Sequence, residues 1–494
     1  MKKYLLIIAA ILGITTSCDN YLDINQDPNS PTESNITSSM ILPGAEMNLA
    51  ASYGDFLRIV GGYYAQQYAH DFGTINYLDY SKFIMSATRS SGTYSQLTSR
   101  CLKNLETVRT LSKAKEEWGT YLAATVLRGF TFQVLVDCYG ETPYTEALDA
   151  ANLTPHYDDG LTIYNGVLSE IDEALSHATA SSLVCTNMLF PSANASKWIQ
   201  LANALKLKML MRMSNTQDVK SKLAALVQEN NFPTEDVAWK NCWADESGKA
   251  NPFYQEEFAT YFGSTQINIC LNLALLKTMQ ESEDARLAKF FSANGSGNYT
   301  GGVSGSNFST STTYKSDYWC RPTSAYNDPV YLISVSEIEF FLAEYYARYG
   351  TASNAETHYK AAVDASFAMV GATGADKIYT TYYPWKNANY KQIIGVQKWV
   401  ALSGYNNFES WCELRRLDYP AFGTVTGDQL YNESNDVYTP SALVTGTLYT
   451  PIHYNTDLGK NKILQRFPYA ESSANRNANT PADKGDATPV FWAE

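Results

Sequence analysis

A mainly α-helical protein built on paired helices is what the sequence predicts, and three observations predict it. In five stretches apolar residues recur every three or four positions, the period of one buried helix face. Two of these stretches, 336–349 and 353–370, flank a short turn at Gly350, as two packed helices would. Two long segments, 232–263 and 292–329, carry almost no such period and interrupt the helical pattern.

In chain order, Lys2 and Lys3 precede an apolar run over 4–14, too short to span a bilayer. The small residues Thr15, Thr16 and Ser17 then lead to Cys18. This arrangement resembles a bacterial lipoprotein signal, with Thr15 in place of the usual Leu, so residues 1–17 read as a signal peptide and Cys18 as the lipidation site. Acyl chains contribute about 0.8 kcal/mol per buried methylene, enough for a multiply acylated cysteine to hold firmly. Residues 18–39 are polar and turn-rich, with Asp27-Pro28 and Ser30-Pro31, and read as a tether.

The helical stretches follow. Residues 116–136 carry Trp118, Leu122, Thr125, Gly129, Phe132 and Val136 at helical spacing; 159–177 carry the stripe Ile163, Val167, Ile171 and Leu175. Residues 196–213, with Trp198, Leu201, Leu205 and Met209, are apolar around much of the circumference, which predicts burial on more than one side. The 336–349 helix shows Ile338, Phe341, Leu342, Tyr345 and Tyr349 on one face. Ser353 and Glu356 have capping-box spacing for its partner, which continues through Tyr359, Val363 and Phe367. A pair of about 34 residues resembles a tetratricopeptide repeat, which cannot bury its face alone and needs neighbours.

Composition narrows the function. The 494-residue chain carries a formal charge of -13, a poor match to phosphate backbones, so nucleic acid is not an expected partner. Its 36 tyrosines supply rings with polar tips; most read as packing residues, the rest as binding surface. The eight cysteines form no CxxC pair, and setting Cys18 aside leaves seven, so at least one thiol is free. There is no HExxH, no phosphate-binding P-loop, no GxSxG and no dinucleotide fingerprint, and the five histidines are scattered. No catalytic residue, metal site or cofactor is expected.

Several segments in a fixed order then carry a resemblance: CDNYLD at 18–23, RGFTFQVLVDCYGETPYTEAL at 128–148, PHYDDGLTIYNGVLSEIDEAL at 155–175, KWIQLANALKLKMLMRMSN at 197–215, SEIEFFLAEYYARYG at 336–350, QKWVALSGYNNFESWCELRRLDYP at 397–420 and QRFPYAESSANRNAN at 465–479. Together they resemble the SusD/RagB-like nutrient-binding outer-membrane lipoproteins of Bacteroidetes, in particular the second SusD-like type. Glu141 and Thr142 stand in for the usual acidic and apolar pair. The resemblance implies a SusD-like fold: tetratricopeptide-like helix pairs as a scaffold with an irregular, loop-rich half packed on it. It makes 40–494 one domain with insertions around 232–263 and 292–329. It also implies a lipid-anchored place on the outer membrane at the cell surface, a SusC-like TonB-dependent transporter as partner, and an oligosaccharide or peptide as cargo.

Sugars present apolar C–H faces and a rim of hydroxyls, which rings and Asp, Asn or Arg side chains complement. Such residues belong on loops held by a rigid scaffold. Two stretches fit: 68–80, with Asp71, Asn76, Tyr77 and Tyr80, and 314–321, with Tyr318, Trp319 and Arg321. Trp385 in YYPWKNANY is a third candidate, whereas Trp198, Trp399 and Trp411 lie in helical patterns and read as core. Capture of a nutrient, chiefly a glycan, without turnover is the expected function. A surface glycoside hydrolase, a peptide-binding member and a ligand-free helical scaffold are the alternatives.

Overall fold

A computed structural model describes residues 35–71, 76–149, 151–191, 194–261, 268–306 and 311–493. The segment read as a lipoprotein signal, Cys18 and most of the stretch read as a tether lie outside the described residues. Helix accounts for 52% of the chain, and strands are few and short.

The first helix, α1 (Ser38–Ser52), runs through a π turn at Tyr53–Leu57 into α2 (Arg58–Tyr64), so one helical rod carries a widened turn in its middle. Strand β1 (Tyr68–His70) follows, and then α3 (Lys103–Ala114) and α4 (Trp118–Tyr139). Every residue of α4 after Trp118 is buried, because α3, α5 (Gly160–His177) and α6 (Ser196–Met213) all pack on it. Asp159 caps α5 by accepting the Thr162 N–H at 2.9 Å. In α5 the predicted stripe is buried at Ile163, Val167 and Ile171 and half-buried at Leu175. Helix α6 is buried on most of its circumference, as its composition requires.

The irregular part contributes β2 (Val237–Trp239), the short α7 (Pro252–Glu257), β3 (Ile269–Leu271), β4 (Arg321–Pro322) and β5 (Val330–Ile333). These form small two-stranded ladders: β1 pairs antiparallel with β3, Tyr68 facing Leu271, and β2 pairs antiparallel with β5. Thus the 232–263 insertion is partly ordered into a strand and a helix; Asn251 caps α7 by accepting the Tyr254 N–H at 3.1 Å, with Pro252 in the first turn.

The predicted helix pair is α8 (Val335–Tyr349) and α9 (Ala352–Met369), which pack along their length. One detail differs. The α9 cap is Thr351, whose hydroxyl accepts the Asn354 N–H at 3.2 Å. Ser353 already lies inside the first turn, and Glu356 reaches forward to Lys360 at 2.7 Å instead of back to a cap. Ser-x-x-Glu spacing alone does not distinguish a cap from an exposed i,i+4 ion pair.

Helices α10 (Tyr390–Ala401) and α11 (Asn407–Leu417) complete the scaffold. Gly61 permits α2 to touch α11: a methyl group there would stand 2.5 Å from the Asn407 carbonyl oxygen. Trp198, Trp399 and Trp411 are all buried.

Between α4, α6, α8, α10 and α11 lies a buried ion network. Lys208 meets Glu337 at 3.0 Å and Glu409 at 3.1 Å, and Arg212 bridges Asp137 and Glu409. Arg416 meets Glu344 at 2.5 Å and Glu413 at 2.6 Å, and Lys398 reaches Glu413 at 3.0 Å. Burial pushes the Glu413 carboxyl up, but Arg416 and Lys398 outweigh it and hold it well below the usual range. Each such charge is costly to desolvate and is stable only with its partners present, so the network ties five helices into one register.

Candidate functional site

The two stretches singled out on chemical grounds meet in the irregular half. Asp71 directly follows β1, and its backbone N–H donates to Asn268 O at 3.0 Å. Arg321 opens β4, next to β3, whose Leu271 N–H donates to Cys320 O at 2.9 Å. This places Arg321 Nη2 2.7 Å from Asp71 Oδ2 and 2.7 Å from Ser316 Oγ, while Nη1 donates to Ile269 O at 3.1 Å. Ser316 Oγ in turn donates to Asp71 Oδ2 at 3.0 Å. Residues 250 positions apart are therefore locked together, with Asp71 buried and Arg321 partly open.

Next to this junction stands a group of rings. Tyr318 is half-buried and lies edge-on to Trp319 at 4.8 Å and to Tyr314 at 5.0 Å. Tyr438 packs edge-on to Trp319 at 5.8 Å, and Tyr431 edge-on to Tyr314 at 5.9 Å. Trp319 is 1% exposed and packs against the tyrosines, so the partly exposed rings of the cluster are Tyr314, Tyr318 and Tyr438. Asp436 organises the cluster by accepting from Ser311 Oγ at 2.7 Å and the Tyr431 hydroxyl at 3.0 Å. Tyr431 and Tyr438 were missed in the sequence because they lie more than a hundred residues downstream, in a stretch with no periodicity to mark them.

Asn76, Tyr77 and Tyr80 come shortly after Asp71 in the chain. Tyr77 adopts a left-handed backbone, with φ of 66°, and its hydroxyl donates to Glu256 Oε1 at 3.0 Å. Its ring stacks on Tyr80 at 5.6 Å. Tyr80 is buried, and burial pushes its hydroxyl up to about 12; Asn76 is exposed. Glu256 also borders a cleft of about 630 Å³ formed by α1, the π turn and the 232–263 insertion. Trp243 and Phe56 give this cleft apolar surface, and Asp55, Arg89, Gln96 and Gln255 give it polar groups. Trp243 is held by its indole N–H, which donates to Trp239 O at 3.1 Å. The sequence marked the Trp-containing insertion as irregular without marking Trp243 as a binding residue.

Two carboxyls at or beside the cleft, Glu257 and Asp55, are shifted by their burial. Burial pushes Glu257 up to about 7, against the lowering effect of the Asn268 N–H that donates to it at 3.0 Å. Burial, with Glu256 and Glu257 nearby, also pushes Asp55 well above the usual carboxylate range.

Trp385 is not brought to this region. It packs against Tyr359 at 5.4 Å, at the edge of a separate core cluster with Phe340, Val363 and Phe367. Among the described residues no group of three or more His, Cys, Asp or Glu side chains is placed to hold a metal ion, and no helix is long and apolar enough to cross a membrane. The seven described cysteines are all free.

The irregular half thus presents half-exposed tyrosine rings beside the Asp71–Arg321 junction and, lined by other residues, an amphipathic cleft. Such a surface can cover the apolar face of a polar ligand and bind its rim. Comparison with known proteins bears on the ligand class. A family model described as SusD-like, "Starch-binding associating with outer membrane", matches residues 28–444. A solved SusD homolog from Bacteroides uniformis is similar with a TM-score of 0.71 and 22% identity, over 91% of this chain and 98% of that one. A chitin-binding protein gives a TM-score of 0.73 at 19% identity, over 92% of this chain and 100% of the other. A SusD homolog from Bacteroides fragilis gives 0.70 at 18% identity, over 92% and 100%. No curated protein sequence matches. At these identities the structural likenesses establish the fold.

Proposed function

From the premise that this chain belongs to the SusD-like family, starch-binding proteins that associate with the outer membrane, we propose that it captures glycans at the cell surface and passes them to a SusC-like TonB-dependent transporter. The observation that carries this reading is the Asp71–Ser316–Arg321 junction, which holds Tyr314 and Tyr318 at the surface of the loop-rich half. Tyr318, Tyr314, Tyr77 and Trp243 would cover sugar C–H faces, and Arg321, Asn76, Gln255 and Arg89 would meet hydroxyls. Asp71, Tyr80 and Trp319 would act from below by fixing the shape of the loops. Trp385 lies apart and would bear on the scaffold surface instead.

Capture needs no bond to break, so the ligand leaves unchanged. Lipidation at Cys18 would keep the protein at the membrane beside its transporter, and the polar residues up to 39 would give it reach. Titration calorimetry of the mature chain against neutral oligosaccharides and peptides tests the reading, with chromatography of the ligand afterwards. Saturable binding of an intact oligosaccharide supports it. Cleaved products would point to the hydrolase alternative, peptide binding alone to a different cargo, and no binder at all to a ligand-free scaffold. Radiolabelled palmitate should enter the wild type and not Cys18→Ser.

A further inference from the structure

Nine lysine and arginine side chains are buried among the described residues: Arg58, Arg128, Lys208, Arg212, Arg286, Lys398, Arg415, Arg416 and Arg466. Six form ion pairs: Arg128 with Glu170, Arg286 with Asp284 at 2.6 Å, and Lys208, Arg212, Lys398 and Arg416 in the scaffold network. Arg415 donates to Asp137 O at 2.8 Å and Gln465 O at 2.7 Å, and Arg466 donates to Tyr139 O. Arg58 has no such ion pair and no such carbonyl acceptor among the described residues. It is 6% exposed and its Nε is buried without a hydrogen-bond partner. Its guanidinium lies 3.7 Å over the Phe253 ring and interacts with the Tyr68 hydroxyl. An arginine sunk this deep without a counter-charge is costly.

Arg58 lines a cavity of about 300 Å³, separate from the 630 Å³ cleft, together with Lys289, Thr323, Ser324, Asp328 and Tyr405. Ser324 Oγ is also buried without a hydrogen-bond partner. Lys289 is exposed at the rim. The one carboxylate of the lining, Asp328, has its Oδ2 occupied by the Ala325 N–H at 2.8 Å. Asp55, one turn before Arg58, faces the other cleft and interacts with Arg58 only at a distance. Two features build the cavity into the candidate site. Arg58 comes directly after the π turn, the kind of helix irregularity that recurs at functional sites. The lining residue Thr323 comes directly after β4, whose first residue is Arg321 of the Asp71 junction.

We propose that this cavity is a subsite for the carboxylate of an acidic sugar, with a uronic acid unit as ligand. Arg58 would meet the carboxylate with its planar fork, Lys289 would add charge from the rim, and the Ser324 hydroxyl would donate. Tyr405 would face the sugar ring, and the cavity, at the small end of ligand sites, suits one monosaccharide unit. The proposal rests on the glycan-capture reading and narrows its substrate class.

The test is titration of the full mature chain with D-glucuronate, D-glucose and inorganic sulfate, followed by ligand-observed NMR. Glucuronate is expected to bind at least tenfold more tightly than glucose or sulfate and to weaken as salt is added. Arg58→Met should abolish that binding. Because Arg58 is buried, the exposed Lys289→Ala and the isosteric Ser324→Ala provide independent variants; each should weaken glucuronate severalfold with no change in melting temperature. Glucuronate binding no tighter than glucose, sulfate binding as tightly as glucuronate (an anion site without sugar recognition), or glucuronate binding untouched by Lys289→Ala and Ser324→Ala would each overturn the subsite. Neutral oligosaccharides that still bind in any of these cases leave glycan capture intact. Failure of every saccharide removes the broader reading as well.

Discussion

In the scaffold, Arg212 is fully enclosed and meets Asp137 and Glu409; in the loop-rich half, Arg58 is nearly as deep and meets a phenylalanine face and an open cavity. The carboxyls divide in the same way. Glu413, between Arg416 and Lys398, is held ionised, whereas Glu257, behind the cleft wall, is pushed up to about 7 by burial without a cation. Buried charge in the five-helix network is balanced internally and fixes helix register. At Arg58 and Glu257, by contrast, a buried ionisable group stands without an ion-pair partner among the described residues, which costs stability.

The largest effect is expected from Glu409→Ala. It strips partners from Lys208 and Arg212 at once and should cost about 3 to 5 kcal/mol in urea unfolding. A loss under about 1 kcal/mol would mean the network does not hold the helices.

The next effect is expected in a pH series. Glu257 has its folded pKa raised from 4.5 to about 7, so below pH 4.5 it is protonated in both states and contributes nothing. Between 4.5 and 7 the folded form keeps a proton that the unfolded form has lost, so stability falls as pH rises, by up to roughly 3 kcal/mol. Glu46, raised to about 8, extends the fall upward. Glu257→Gln should flatten the decline between pH 5 and 7, measured by thermal melts across that range; an unchanged slope would show that Glu257 does not carry it. Glu413 behaves oppositely, since its contribution is lost only on acidification, as protons displace its pairing with Arg416 and Lys398.

Ring removal is a smaller effect on a different quantity. Tyr318→Ala and Trp243→Ala should each weaken oligosaccharide affinity by about tenfold, or about 1.4 kcal/mol, while melting temperatures stay close to wild type. Calorimetry and melts on the same preparations separate the two. Smallest is Arg58→Met, expected to change stability by less than about 1 kcal/mol, because the apolar replacement relieves an unpaired buried charge. A large loss there would show that Arg58 is as structural as Arg212.

The scaffold was legible in the sequence because helical period is a local signal. The helix at 196–213 carries the bounds read from its apolar pattern, and the pair around Gly350 differs by one residue at its ends. The ion network was not legible: Lys208, Glu337 and Glu409 are far apart in sequence, and each alone resembles a solvated charge. The candidate site was legible in part. Asp71 and Arg321 were chosen for their chemistry, and the pairing of β1 with β3 brings them together. Trp319 and Trp385 had the right composition, but one lies beneath its neighbours and the other belongs to a separate cluster. Tyr438, Trp243 and Arg58 left no local mark, since what distinguishes them is what the fold places, or fails to place, beside them.

The account depends most on a ligand being held, intact, by the loop-rich half. The direct measurement is titration calorimetry of an oligosaccharide panel against the wild type and the Tyr318→Ala/Trp243→Ala double variant, with chromatography of the recovered ligand. Saturable binding to the wild type, recovery of uncleaved ligand, and affinity lost by about a hundredfold in a double variant that melts like wild type are expected. Binding of equal strength to both proteins, or a ligand recovered in pieces, would contradict it.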